Sequence, residues 1–263
     1  MQRVFRPKTS YIVVVMLLFM MLTVTVVAAE LSGEEILQKI TGSSTLSGSG
    51  SAVVRLRTIN RRGQEKQQSL SIYRLETKTH EKQLIEFLTP ADVKGTKFLS
   101  LRDLKSNAEE MWLYLPALKR ERRIAGHMTK DNFMGTDFTY EEISGSYQDK
   151  YSAKRLKDEE YNGKKCYVLE LTPKDKEESY KTVKMWVWQS EMIPIKIEFY
   201  NKDNKLWKEM HSEKIEKQAN GIYLPLKITM SNKLDQTTTI IEILENSSNP
   251  PKDDYFTMQY LRR

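Results

Sequence analysis

The sequence has very little of the chemistry on which catalytic and metal sites depend. It contains one cysteine, Cys166, so it cannot form an internal disulfide, and its three histidines, His80, His127 and His211, stand far apart. None of them has the spacing of a metal-ligand motif, and neither a nucleophile elbow nor a phosphate-binding glycine loop is present. These absences favour a binding protein without cofactor or metal. A hydrolase whose site is assembled across strands would leave no such motif and stays open as a weaker alternative.

The one long apolar run lies near the start of the chain, at residues 11–27. Three basic residues and no acid precede it, and the small residues Ala28 and Ala29 follow it. This is the pattern of a secretory signal peptide. We therefore expect residues 1–29 to be removed and residues 30–263 to form a periplasmic domain. An uncleaved inner-membrane anchor is the alternative, because about seventeen apolar residues are at the lower limit for spanning a bilayer.

The charge of the chain gives no sign of a nucleic-acid partner. Residues 1–29 contain three of the 42 basic residues and none of the 35 acidic ones, which leaves a net charge of +4 on the rest. A charge this small over a whole domain attracts polyanions only weakly. Export of the chain also separates it from nucleic acid.

Short strands follow one another over most of the mature chain. A short helix is predicted first, at residues 31–41, where Ser32 and Glu35 have the spacing of a capping box. About ten or eleven strands then follow, and Asn162-Gly163 is a strong hairpin signal between two of them. A sheet of that size must curl or split into two layers. The absence of a linker between residues 52 and 249 favours one domain.

The strand predicted at residues 111–115 has large apolar residues on both faces. Met111 and Leu113 alternate with Trp112 and Tyr114, and such a strand is typically covered on both sides. One face should belong to the core and the other to an apolar groove. We expect Trp112 and Tyr114 to line the groove, although both could simply fill the core.

A flap is predicted after this strand. Residues 126–146 show no clear strand pattern but contain Phe133, Met134 and Phe138. Loops of this length are uncommon in compact domains, and aromatic residues argue against disorder. We expect these three side chains to close the flap over the groove. The basic run at residues 119–123 before it is either a solvated strand end or a contact at the rim of the groove.

Four stretches of the sequence resemble the outer-membrane lipoprotein-sorting family, in its broader LolA-like branch. They are WLYLPALKRERRI at 112–124, FMGTDFTYEE at 133–142, DVKGTKFL at 92–99 and DDYFT at 253–257. The resemblance covers residues 30–263 and implies a mainly β fold. That fold is a single, strongly curved antiparallel sheet, a half-barrel, with a short N-terminal helix and a flap on its concave side.

The resemblance also implies a function. Its concave face would hold the acyl chains of a lipid or lipoprotein and pass them from an inner-membrane exporter to an outer-membrane acceptor. A non-lipid-binding adaptor domain that works with an exporter is the alternative.

A latch for the flap is predicted from the charges around it. Arg122 or Arg123 could hold the closed flap by a charge-assisted pair with Asp137, of about 1–3 kcal/mol. Alternation along a strand places the two arginines on opposite faces, so only one can point inward. We expect it to be Arg123, because the resemblance includes it in the RRI sequence.

Cleavage of the signal peptide is the first testable prediction. Because small residues precede the expected cleavage site, N-terminal sequencing of the protein recovered from the periplasm should begin at Glu30. A sequence that begins at Met1 would instead establish the uncleaved membrane anchor.

Overall fold

The structure is a computed structural model that describes residues 30–40, 48–145, 150–218 and 221–263. The expected signal peptide lies outside the described residues, and so does Ser146 at the end of the expected flap. The helices are α1 (Gly33–Lys39), α2 (Tyr140–Ser144) and α3 (Met258–Leu261). The strands are β1 (Gly50–Ile59), β2 (Glu65–Glu76), β3 (His80–Thr89), β4 (Lys97–Asp103), β5 (Glu109–Leu115), β6 (Arg120–Ile124), β7 (Tyr151–Arg155), β8 (Glu159–Tyr161), β9 (Lys164–Pro173), β10 (Thr182–Trp188), β11 (Ile193–Tyr200), β12 (Leu206–Lys217), β13 (Tyr223–Asn232) and β14 (Thr237–Ser247).

The fourteen strands form one antiparallel sheet. Its order is β6-β5-β4-β3-β2-β1-β14-β13-β12-β11-β10-β9-β7, and β8 pairs with β9 beside this path. Since β6 and β7 are the two ends of this order, the strands of the described residues do not close into a barrel. The predicted fold class, mainly β with one large antiparallel sheet, is confirmed. The strand count is higher than the expected ten or eleven, in part because β8 has only three residues and too short a pattern to be recognised.

The Asn162-Gly163 signal forms the hairpin that the sequence predicts. Asn162 and Gly163 both have positive φ angles, of 50° and 70°, as a two-residue turn between right-twisted strands requires. The turn joins β8 to β9, where Tyr161 pairs with Lys164. It also places Cys166 inside an apolar cluster, where the side chain is fully buried and burial raises the pKa of its thiol.

Helix α1 begins at the predicted capping box and lies against β7. The Ser32 hydroxyl accepts a hydrogen bond from the Glu35 amide at 3.2 Å, and the Glu35 carboxylate accepts one from the Ser32 amide at 2.8 Å. A Cβ at Gly33 would lie 2.4 Å from the Ala153 carbonyl oxygen. Only glycine therefore allows the helix to approach the sheet this closely.

The two faces of β3, β4 and β5 are covered by different parts of the chain. Cross-strand pairing places Phe98 and Leu113 on one face and Leu99 and Trp112 on the other. The first face contacts residues 126–145, the flap, through Phe133, whose ring centroid lies 5.4 Å from that of Phe98. We call it the flap face. The other face is covered by apolar residues near the C-terminus, so the prediction that β5 is covered on both sides is confirmed.

The opposite face is covered by the C-terminal segment, residues 253–261. Phe256 and Leu261 form an apolar cluster there with Leu84 and Leu99. Trp112 and Tyr114 are half-buried against this cluster. We call this side of the sheet the C-terminal face. The C-terminal segment consists of a 3₁₀ turn, Asp253–Phe256, followed by α3.

Replacement of Leu113 by aspartate should unfold the protein. Leu113 is 6% exposed on the flap face, and an ionised carboxylate buried there without a partner costs several kcal/mol, comparable with the roughly 5–15 kcal/mol that stabilises a whole domain. Circular dichroism should show a lost or strongly lowered thermal transition. Leu244→Asp is the matched control, since Leu244 lies on a strand but is 47% exposed, and it should melt close to wild type. Equal melting of both variants would contradict the burial of Leu113.

Candidate ligand groove under the flap

The flap contains three short helical elements. They are the 3₁₀ turns Gly126–Lys130 and Phe133–Gly135 and the helix α2. Helix α2 begins at a second capping box, in which the Glu142 carboxylate accepts from the Thr139 amide at 2.8 Å and the Thr139 hydroxyl accepts from the Glu142 amide at 3.1 Å. The T-x-x-E pattern of this box was present in the sequence and could have predicted the helix.

Aromatic side chains of the flap lie directly on the flap face. Phe133 is 1% exposed, and its ring contacts those of Phe87, Phe98 and Tyr140 at centroid distances of 5.4–6.1 Å. Phe138 is also buried. Such ring pairs add about 0.5–1.5 kcal/mol each beyond the burial of their area. The flap therefore covers the sheet with apolar surface.

A narrow cavity lined by described residues lies between the flap and the sheet. Its volume is about 20 Å³, enough for one or two water molecules and far below the roughly 300–1,000 Å³ of pockets that hold small molecules. It is lined by Val54, Leu56, Leu70, Ile72, Gln83, Ile85, Phe133, Thr136, Phe138, Ile143 and Ile241. In this conformation the groove is filled by the protein's own side chains.

Asp137 ties the middle of the flap to β14 through hydrogen bonds. Its carboxylate accepts from the hydroxyl of Thr239 at 2.8 Å and from that of Thr237, and its own amide donates to the Thr239 hydroxyl oxygen at 2.8 Å. Asp137 is only 4% exposed. A buried carboxylate is costly unless it is well hydrogen-bonded, so these threonines fix where the flap closes.

Helix α2 is tied to β12, two strands from β14, by a buried charged group. The Tyr180 hydroxyl donates to Glu142 Oε1 at 2.5 Å, and the Lys208 ammonium lies 3.5 Å from Glu142 Oε2. Lys208 is 1% exposed. Burial, reinforced by the negative charge of Glu142, raises the pKa of Tyr180 well above its usual value, so this hydroxyl stays a donor.

A second carboxylate of α2 makes a further ion pair. Glu141 Oε2 lies 2.6 Å from the ammonium of Lys150, and the glutamate side chain is buried while the lysine is partly exposed. Burial raises the pKa of Glu141, and the lysine opposes this shift. Nearby, Gln83 of β3 donates to the Ile143 carbonyl at 3.1 Å, so α2 has polar contacts to several elements.

The predicted arginine latch is wrong. Asp137 is bound by threonines, as described above, and neither arginine reaches it. Arg122 lies on the flap face and donates to the sulfur of Met128 at 3.0 Å. Arg123 lies on the opposite face, where it pairs with Glu110 at 3.2 Å and stands over the ring of Trp112. Strand alternation separates the two arginines as expected, but it directs Arg123 away from the flap.

The expectation that Trp112 and Tyr114 share the groove with the flap is also wrong. Both lie on the C-terminal face, whereas Phe133 and Phe138 lie on the flap face. Met134 is half-buried at a turn, where its φ angle is 47°. The structure thus brings together two of the five predicted groove residues. Alternation in β5 separated its two faces correctly, but it could not show which face the flap would cover.

A polar pocket adjoins the apolar cavity at the edge of the flap. Its volume is about 370 Å³. Thr136 lines both spaces, so the apolar cavity and the polar pocket meet at this residue. The pocket is lined by Thr58, Ile59, Asn60, Gln64, Glu65, Lys66, Asn132, Gly135, Thr136, Asp137, Asp235 and Thr237.

The described part of the chain offers neither a metal site nor a membrane-spanning helix. Its residues contain no group of three or more histidine, cysteine, aspartate or glutamate side chains placed to hold a metal ion. Within the same residues, no helix has the length and apolar character needed to cross a membrane.

Comparison with known proteins gives matches to one family and to its fold. A family model described as that of an uncharacterized protein matches residues 79–263, and the curated proteins contain no match. An outer membrane lipoprotein-sorting protein domain from Vibrio parahaemolyticus is 29% identical, with a TM-score of 0.79, over 88% of this chain and 98% of that chain.

Two further solved structures have the same fold. A DUF1329 family protein from Desulfovibrio piger is 28% identical, with a TM-score of 0.78, over 87% of this chain and 97% of that chain. A LolA superfamily protein from Nitrosomonas europaea, 22% identical over 88% of this chain and 100% of that chain, has a TM-score of 0.68 and shares the fold alone. Since the family match spans more than half of the sequence, the chain belongs to the family of uncharacterized proteins that this model describes. The predicted resemblance to the LolA-like family is confirmed by these structural neighbours.

Proposed function

We propose that the protein is a periplasmic, non-enzymatic carrier that shelters the acyl chains of a lipid or lipoprotein under the flap and passes them toward the outer membrane. The observation that carries this proposal is the apolar surface of the sheet, which is covered by a flap tied down by polar contacts such as those of Asp137 and Glu142. The similarity to lipoprotein-sorting proteins supports it. An inner-membrane exporter and an outer-membrane acceptor would be its partners.

The energetics suit a carrier that both loads and releases. Each methylene moved from water into an apolar space contributes roughly 0.8 kcal/mol, so ten would give about 8 kcal/mol before ordering costs. Displacement of Phe133, Phe138 and Ile143 from the sheet costs roughly 1.5–3 kcal/mol for each side chain. Acyl chains would replace these side chains on the same surface. The free energy gained by burial of the acyl chains is similar to the free energy lost by exposure of the side chains.

An adaptor domain that works with an exporter and carries no lipid is the second candidate. The specific observation in its favour is the small cavity of about 20 Å³, because a groove filled by its own side chains has no need of a ligand. The two candidates differ in whether the flap must move. Mass spectrometry of lipids that copurify with the protein in the absence of detergent addresses the carrier directly.

Weakening of the Asp137 contact should loosen the flap. Asp137→Asn removes the negative charge to which two hydroxyls donate, and hydrogen bonds to charged groups contribute about 1.5–3 kcal/mol. Hydrogen exchange in residues 126–145 should become about 10-fold faster or more, and lipid uptake should accelerate. Asp131→Asn is the matched control, because Asp131 is an exposed aspartate of the same flap. Equal exchange in the two variants would show that other contacts hold the flap.

A reversible lock on the flap separates the carrier from the adaptor. Asp137→Cys combined with Thr239→Cys places two thiols where a carboxylate and a hydroxyl now hydrogen-bond, while Cys166 is buried and out of reach. The oxidised double variant should take up no lipid, and reduction should restore uptake. The single cysteine variants are the controls. Undiminished uptake by the oxidised, locked protein would contradict loading under the flap.

A further inference from the structure

The β5–β6 hairpin presents an unusually exposed leucine. Leu118 is 63% exposed, the highest value among the large apolar side chains of the described residues. The 3₁₀ turn Pro116–Leu118 holds it at the tip, and Lys119 follows in a left-handed conformation with φ 49°. Ala117 beside it is exposed as well. The hairpin thus ends in a small apolar projection that contributes nothing to the core.

Basic residues surround this tip. Lys119 and Arg120 come next in the chain, and both are exposed. The neighbouring loop carries the exposed Lys94. This loop lies close to the tip, as a Cβ built at Gly95 would be 3.7 Å from Pro116 Cγ.

The nearby acids already have cationic partners. Glu121 lies 2.6 Å from the guanidinium of Arg262, which brings this further arginine to the hairpin. Asp92, in the loop of Lys94, lies 3.9 Å from the ammonium of Lys66. The corner therefore presents a net positive charge around Leu118.

We propose that this tip, residues 117–120 with Lys94, docks the protein on the surface of an anionic lipid bilayer. An apolar side chain enters the boundary between headgroups and acyl chains, and lysines and arginines beside it pair with lipid phosphates. An acidic protein or a free phosphate would engage the cations but would leave Leu118 without an apolar partner. The combination of leucine and cations therefore favours a membrane.

Docking at this surface does not depend on the flap. Residues 117–120 line neither the apolar cavity nor the polar pocket described above. Failure of vesicle binding and failure of acyl-chain uptake can therefore be observed separately. A carrier that collects or delivers lipid would use such a surface to approach its membrane.

Cosedimentation with vesicles tests the proposal, with the exported protein as purified from the periplasm. Wild type should bind vesicles of phosphatidylcholine with phosphatidylglycerol far better than pure phosphatidylcholine, and added salt should weaken the binding. The double variant Lys119→Glu with Arg120→Glu should bind at least about 25-fold more weakly, since each cation near an anionic surface contributes about five-fold. Leu118→Ser should lose about five-fold to ten-fold.

Two matched variants serve as controls. Lys202→Glu with Lys205→Glu makes the same change of charge at another exposed hairpin, and Leu234→Ser removes a leucine that is 50% exposed between Lys233 and Asp235. Both should bind within about two-fold of wild type, and uptake of a fluorescent fatty acid in solution should be unchanged in all four variants. Absence of wild-type binding to the anionic vesicles, or equal losses in the control variants, would overturn the proposal.

Discussion

The structure depends on the need to cover the apolar flap face of a very wide sheet. One short helix at the start of the chain cannot do this, so the flap supplies Phe133 and Phe138 as the covering surface. Phe133 lies in contact with rings from β3 and β4. Apolar contacts of this kind are strong in sum but not directional, and any apolar group of suitable size can replace them. In the proposed carrier, the same surface would therefore be core in one state and binding site in another.

Polar contacts determine where the flap closes. A buried ion pair adds little net stability, because removal of both charges from water costs about as much as their attraction returns. The ion pair of the fully buried Lys208 with Glu142 is therefore better explained as fixing the position of the flap than as adding stability. Together with the contact of Asp137 to Thr239 it holds the C-terminal half of the flap on β14 and β12. The polar contacts thus fix the position of the closed flap, while its apolar contacts to the sheet are of a kind that an apolar ligand could replace in the proposed carrier.

The sequence predicted local features well and tertiary partners poorly. The capping box at Ser32, the strand at residues 111–115 and the turn at Asn162-Gly163 depend on neighbouring residues, and all three are present. The partner of Asp137 lies about a hundred positions away, on a strand whose register is set by the whole sheet. A charge rule therefore assigned Asp137 to Arg123, whereas the sheet brings hydroxyls to it.

The assignment of faces failed for the same reason. Alternation shows that Leu113 and Trp112 point to opposite sides, but the side that the flap covers depends on where the chain returns after β6. The composition of the basic run at residues 119–123 likewise could not show whether the run lies at the rim of the groove or at a solvated strand end. Its exposed part surrounds the tip at Leu118, and one of its arginines stands over Trp112.

The segment around Asp137 borders both the apolar cavity and the polar pocket. Phe133 and Phe138 fill the apolar cavity, while Gly135 and Asp137, which lie between them in sequence, line the polar pocket. Thr136 touches both spaces, and its hydroxyl donates to the Phe133 carbonyl at 2.7 Å, so the segment is internally tied. These contacts favour movement of the two rings together with Asp137 if the flap of the proposed carrier opens. In the proposed carrier, exposure of the apolar cavity and opening of the polar pocket would be one motion, and an amphipathic ligand would meet an apolar surface and a polar exit at the same moment.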